Sequence, residues 1–151
     1  MPDASVSRSI AASPDVVWNL VSDVTRMGEW SPETTRGVWL KGATGPALGA
    51  RFKGENELGK KSWATVCEVV ECEPGRCFSF RVKGGPLGVA LWEYHIEPDG
   101  DGCVVEERWT DERGWLVRTT GKMISGVEHD AAWNTKGMEQ TLERLAAVAE
   151  A

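Results

Sequence analysis

Residues 50–83 read ARFKGENELGKKSWATVCEVVECEPGRCFSFRVK, and this stretch decides the fold. Apolar and polar residues alternate along it with a period near two, the pattern of strands that bury one face. The reading gives strands at Ala50–Leu58, Ser62–Glu73 and Cys77–Lys83. Gly59-Lys60-Lys61 and Pro74-Gly75 separate them, and connections this short join antiparallel neighbours. The same period runs outward to Arg36–Lys41, Val89–Glu97 and Cys103–Thr110, with turns at Gly84-Gly85-Pro86 and Pro98–Gly102. A first strand at Ser5–Ala11, with Val6 and Ile10 on one face, brings the total to about seven. Gly42–Gly49 holds three glycines and one proline and reads as a mobile loop.

Helical signals flank this block. Ser13 suits an N-cap, Pro14 the first helical position and Asp15 the positive helix end. The helix they start is expected to bury Val16, Val17, Leu20 and Val21, and Asp23 to cap a second short turn toward Met27. Near the C-terminus Met138, Leu142, Leu145 and Ala149 share one face, and Ala131, Val127 and Ile124 extend it backward. The unbroken phase predicts one long helix, bent at Gly126. Asn134, Thr135 and Thr120 on that stripe need either backbone partners or a wet or ligand-filled space. Trp115 and Trp133 fall on the other side, under covering loops or on a self-association or partner surface. The expected class is α+β, one domain over 1–151.

Composition narrows the function. The net charge of -6, from 23 acidic and 17 basic residues, argues against a nucleic-acid partner, which needs clustered cations. No run approaches the roughly 20 apolar residues that span a bilayer, so no stable membrane insertion is expected. The start Met1-Pro2-Asp3-Ala4-Ser5 lacks a basic, apolar leader, which makes a cytoplasmic protein the expectation. Cys67, Cys72, Cys77 and Cys103 then read as reduced thiols, and their spacing forms no CxxC zinc pair. Eight Trp against three Phe and one Tyr suit a bulky core or the walls of a pocket for apolar ligands.

Strand, two short helices, antiparallel meander and long C-terminal helix is the helix-grip order. Here the chain resembles the START-like (SRPBCC) superfamily, and within it the bacterial polyketide cyclase/dehydrase and lipid-transport family. The resemblance covers nearly the whole chain. It rests on IAASPDVVW (Ile10–Trp18), DVTRMGEWSPE (Asp23–Glu33), GARFKGEN (Gly49–Asn56), WATVCEVVECEPG (Trp63–Gly75) and WEYHIEPDGDGCVVEE (Trp92–Glu107). It implies a curved sheet around the last helix with a cavity between them, and a hydrophobic small molecule, a lipid or a polyketide-like compound, as partner. It does not imply one reaction.

Strand alternation suggests the cavity wall. Phe52, Gly54 and Asn56 share a face, and Asn56 either orients a ligand carbonyl or hydroxyl or closes its hairpin. Trp63, Phe78 with Phe80, Trp92 with Tyr94, and Glu107 with Trp109 extend the wall, taking the more apolar face of each strand. Trp30 closes one end, and Asn134 and Met138 belong to the helix side. Glu33 reads as a solvated loop residue or a ligand contact.

The sequence supplies no catalytic set. HExxH, GxSxG and a nucleotide-binding glycine loop are missing, and neither a metal nor a cofactor is expected. His95 falls in phase with Glu93 toward solvent, His129 away from the Met138 stripe, and Arg8 is placed to pair with a carboxylate such as Glu107. The leading expectation is therefore an apolar-ligand binding protein, monomer or homodimer. A polyketide cyclase/aromatase shaping a bound poly-β-keto chain is one alternative. A ligand-gated interaction module, closing at Gly42–Gly49 or Gly84–Gly88, is another.

Overall fold

The computed structural model describes residues 1–151. Strand β1 (Ala4–Ile10) leads into helix α1 (Pro14–Val21) and a 3-10 helical stretch at Val24–Glu29. The meander follows as β2 (Thr34–Trp39), β3 (Arg51–Leu58), β4 (Lys61–Glu73), β5 (Cys77–Gly84), β6 (Leu87–Asp99) and β7 (Gly102–Asp111). Two helices, α2 (Trp115–Ser125) and α3 (Ala131–Ala149), complete the chain. The sheet runs β1-β7-β6-β5-β4-β3-β2, and every neighbouring pair is antiparallel.

Local chemistry explains the helix starts. The Ser13 hydroxyl accepts from the Val16 N–H at 3.3 Å, and the Asp23 carboxylate accepts from the Thr25 N–H at 3.2 Å. Register shifts at Thr34/Arg36, Val69/Glu71 and Val82/Lys83 bend the strands, as bulges do, and let the sheet curl around α3. Trp30, Phe52, Phe78, Met138, Leu142 and Leu145 are fully buried between sheet and helices. The Trp18 indole N–H donates to the Cys77 carbonyl at 2.8 Å, pinning α1 to β5. The 3-10 stretch lies so close to β2 that a Cβ on Gly37 would sit 2.7 Å from the Val24 carbonyl oxygen. Only glycine fits there.

Three expectations need correction. Val16 is exposed, and Trp18 takes the buried place assigned to it, because α1 turns its Val17, Trp18 and Val21 face inward. The last helix is not continuous. Gly126 adopts a left-handed conformation (φ 83°) that ends α2, and Asp130 starts α3 by accepting from the Trp133 N–H at 2.9 Å. Finally, no loop covers Trp115, which stands exposed on α2. The four cysteines are free thiols.

Candidate ligand-binding site

Sheet curvature leaves a cavity of about 580 Å³ between the inner sheet face and α3, with α2 across its mouth. That volume lies in the range of pockets for small organic ligands, roughly 300–1,000 Å³. Trp30, Phe52, Asn56, Trp63 and Phe80 border it from the 3-10 stretch and strands β3 to β5. Trp92, Tyr94, Glu107 and Trp109 border it from β6 and β7, and Asn134 and Met138 from α3. These residues surround one space, whereas Phe78, also expected on the wall, is buried in the core and does not border it.

One wall carries a buried acid. Glu107 is 3% exposed and sits opposite Tyr94 in the β6–β7 ladder. Its Oε1 has no hydrogen-bond partner. Burial pushes the Glu107 carboxyl up to about 8, against a weaker downward pull from the Tyr94 hydroxyl. The same burial, with Glu107 beside it, raises the Tyr94 phenol well above its ordinary range. At neutral pH the cavity therefore presents a neutral carboxylic acid, able to donate one hydrogen bond and accept others. Arg8 does not pair with it. Arg8 is exposed, lies opposite Val105, and the buried carboxyl has no cation beside it.

Asn56 is largely committed to the wall itself. Its Oδ1 accepts from the Thr34 hydroxyl at 2.8 Å, and its Nδ2 donates to the Gly54 carbonyl at 3.3 Å. The first bond ties β2 to β3, and the second stays within β3. The Asn134 amide reaches the His129 carbonyl at 3.5 Å.

Sequence reading missed a cluster at the mouth. Glu33 is no free loop residue: it accepts from His129 Nε2 at 2.8 Å and from Trp133 Nε1 at 2.7 Å. His129, expected away from the helix stripe, borders the cavity and lies edge-on to Trp63 and Trp133, with centroids 6.0 Å away in both cases. Burial pushes the Glu33 carboxyl up, but hydrogen bonds from His129 and Trp133 outweigh it and hold the carboxyl below its ordinary range. Ser125 Oγ stands 3.5 Å from His129 Nδ1, yet it also donates to the Gly121 carbonyl at 2.9 Å. Its hydroxyl is spent closing the last turn of α2. No sequence signal joins Glu33 to His129, because the two stand 96 residues apart.

The Glu33 tie predicts a local effect. Glu33→Ala strands two donors, and hydrogen bonds to a charged group contribute about 1.5–3 kcal/mol each. Amide exchange through residues 115–130 should accelerate about tenfold or more, while the β5–β6 core stays protected. Because the carboxyl is held low, the tie acts above pH 4.5 and is lost as pH falls through the folded-state value. Unchanged exchange at neutral pH would contradict this role.

Two further groups are structural. Cys67 borders the cavity, but burial pushes its thiol up to about 12, so it offers no thiolate. On the outer sheet face His95 is half-buried, 3.0 Å from Glu93 and near Glu71, where Arg108 brings positive charge within 3.4 Å of the imidazole.

A curved seven-stranded antiparallel sheet gripping a C-terminal helix, hollow between the two, is a START-like helix-grip structure. The family model for polyketide cyclase/dehydrase and lipid transport matches residues 1–150, and the chain belongs to that family. It is similar to a Polyketide_cyc-like protein from Corynebacterium glutamicum, with 34% identity over 97% of this chain and 82% of that one, at TM-score 0.53. A protein from Chromobacterium violaceum shares the fold at 16% identity and TM-score 0.75, covering 100% and 99% of the two chains. So does the di-domain ARO/CYC StfQ of the steffimycin biosynthetic pathway, at 15% identity and TM-score 0.69, over 97% of this chain and 49% of that one. No curated protein matches the chain.

Proposed function

We propose that the chain, acting as one domain over residues 1–151, binds a lipid or polyketide-like molecule in the cavity between sheet and α3. One observation carries the reading: a cavity of about 580 Å³ walled by Trp, Phe and Met holds a single neutral acid with an unpartnered oxygen. An apolar body fills such a space, and a carbonyl or hydroxyl on it completes the acid's bonding. Native mass spectrometry with a panel of lipids and polycyclic aromatics tests this. The wild type should retain a ligand at one per chain. Ala90→Phe, which places a ring at a buried position on the cavity wall, should weaken retention at least tenfold. Failure of every panel member to bind would remove the reading.

Glu107 also favours a second reading, a cyclase or aromatase. A neutral acid beside a bound poly-β-ketone can protonate a carbonyl oxygen as charge develops there, an effect worth about 10²–10⁴-fold in rate. The apolar walls would hold the chain folded for ring closure. Unaltered product distribution in Glu107→Gln with a poly-β-ketone substrate would exclude this role.

A further inference from the structure

The outward face of α2 has no partner. Trp115 is 78% and Met123 73% exposed. At about 100° per residue, Trp115, Thr119, Lys122 and Met123 share one side of this helix. Leu116, Val117, Thr120, Gly121 and Ile124 border the cavity, whereas Trp115 and Met123 do not. Leu87, also exposed, opens β6 just after the β5–β6 turn, and its neighbours Gly84 and Val89 reach the same mouth.

Charge is distributed to match. The chain carries a net -6, yet no Asp or Glu occurs from Gly114 to Val127. Arg118 is engaged with Asp111 at 2.8 Å, but Lys122 is exposed beside the apolar face. Lys61 runs alongside Gly126 at the end of α2, and Lys60 is exposed next to it. With no acidic residue on α2 itself and Lys60, Lys61 and Lys122 around it, an anionic surface repels this rim less than it repels an acidic molecule as a whole.

We propose that the outward face of α2 docks reversibly on an anionic lipid bilayer, with Trp115 and Met123 in the interface and Lys60, Lys61 and Lys122 on the headgroups. Trp and long apolar side chains flanked by lysine are the composition that lies in a bilayer interface without crossing it. No helix of the chain is long and apolar enough to cross a membrane. Docking would bring the mouth of the cavity against the phase in which an apolar ligand dissolves; this purpose rests on the function proposed above, though the docking itself does not.

Co-sedimentation of the full chain with phosphatidylcholine vesicles, with and without phosphatidylglycerol, tests the proposal. Binding is expected only to the phosphatidylglycerol vesicles and should weaken as salt rises. Trp115→Ser/Met123→Ser should reduce it at least tenfold, and so should Lys61→Gln/Lys122→Gln, each lysine contributing roughly fivefold. Retention of a cavity ligand in native mass spectrometry should be unchanged in the first variant, since neither residue borders the cavity. Wild-type vesicle binding with no cavity ligand retained would uphold docking while removing the cavity reading. Three results would overturn the proposal: no vesicle binding, equal binding to both vesicle types, or wild-type binding by Trp115→Ser/Met123→Ser. A wild-type dimer that this variant splits, with no vesicle effect, would also overturn it and assign the face to a second copy.

Discussion

Glu107→Gln is expected to stabilise the folded chain by about 2–3 kcal/mol at pH 7 and to leave it nearly unchanged at pH 4. The sign follows from the direction of the shift. Burial raises the carboxyl from 4.5 to about 8, so the folded state holds a proton that the unfolded chain releases above pH 4.5. Wild-type stability from this group is complete below 4.5 and declines up to about 8, by about 1.4 kcal/mol per pH unit. From pH 4.5 to 7 that amounts to about 3 kcal/mol, from which the cost of burying the glutamine amide must be subtracted. Urea denaturation of both proteins across pH 4–8 measures it. The wild-type curve should fall relative to the variant's, whereas parallel curves would show that Glu107 is solvated in the folded state. Glu33 titrates with the opposite sign and below 4.5, so the two windows do not overlap. Against a total stability of about 5–15 kcal/mol, forgoing this much is a substantial concession to a neutral acid in the cavity. Above pH 8 that acid loses its proton, and affinity for a carbonyl-bearing ligand should fall with it.

How much of this was legible depended on whether the cause was local. Alternation in β3, β6 and β7 groups Phe52, Trp92, Tyr94, Glu107 and Trp109 into faces without saying which face turns inward, and it is these more apolar faces that border the cavity. The break between α2 and α3 was also written locally, in Gly126 and in the capping Asp130, but the apolar phase running through Gly126 masked it. Periodicity reports which residues face the core, and two helices packed along one groove preserve phase as well as one helix does. Misplacing His129 followed from that error, since it lies between the two helices and not on one. The meeting of His129 and Trp133 with Glu33 depends on the path of the whole meander, which no short window contains. The poor prospects of an Arg8–Glu107 pair had a physical cause as well: β1 is an edge strand, and its Arg8 side chain reaches water, where a guanidinium is better solvated than beside a buried acid.

Phe52→Ala should lower stability by about 3–5 kcal/mol, the largest loss expected from any of these single changes. Phe52 is 0% exposed, and its ring meets Trp39 at 5.6 Å and Phe80 at 5.2 Å between centroids, both edge-on. The ring therefore joins β2, β3 and β5. Two effects compete in setting the size. Losing the ring forfeits its burial and two aromatic contacts, each worth about 0.5–1.5 kcal/mol beyond area. The vacated space, however, opens onto an existing cavity and not onto packed core, so its cost lies nearer the lower bound. Thermal or urea unfolding distinguishes these, with Phe52→Leu as reference at a loss of about 1–2 kcal/mol. The same geometry makes a functional forecast. If the enlarged space joins the cavity, Phe52→Ala should retain bulkier panel ligands than the wild type at a temperature where it is still folded. Loss of all ligand retention in the folded variant would mean instead that Phe52 props the wall, and that the hollow depends on its ring to stay open.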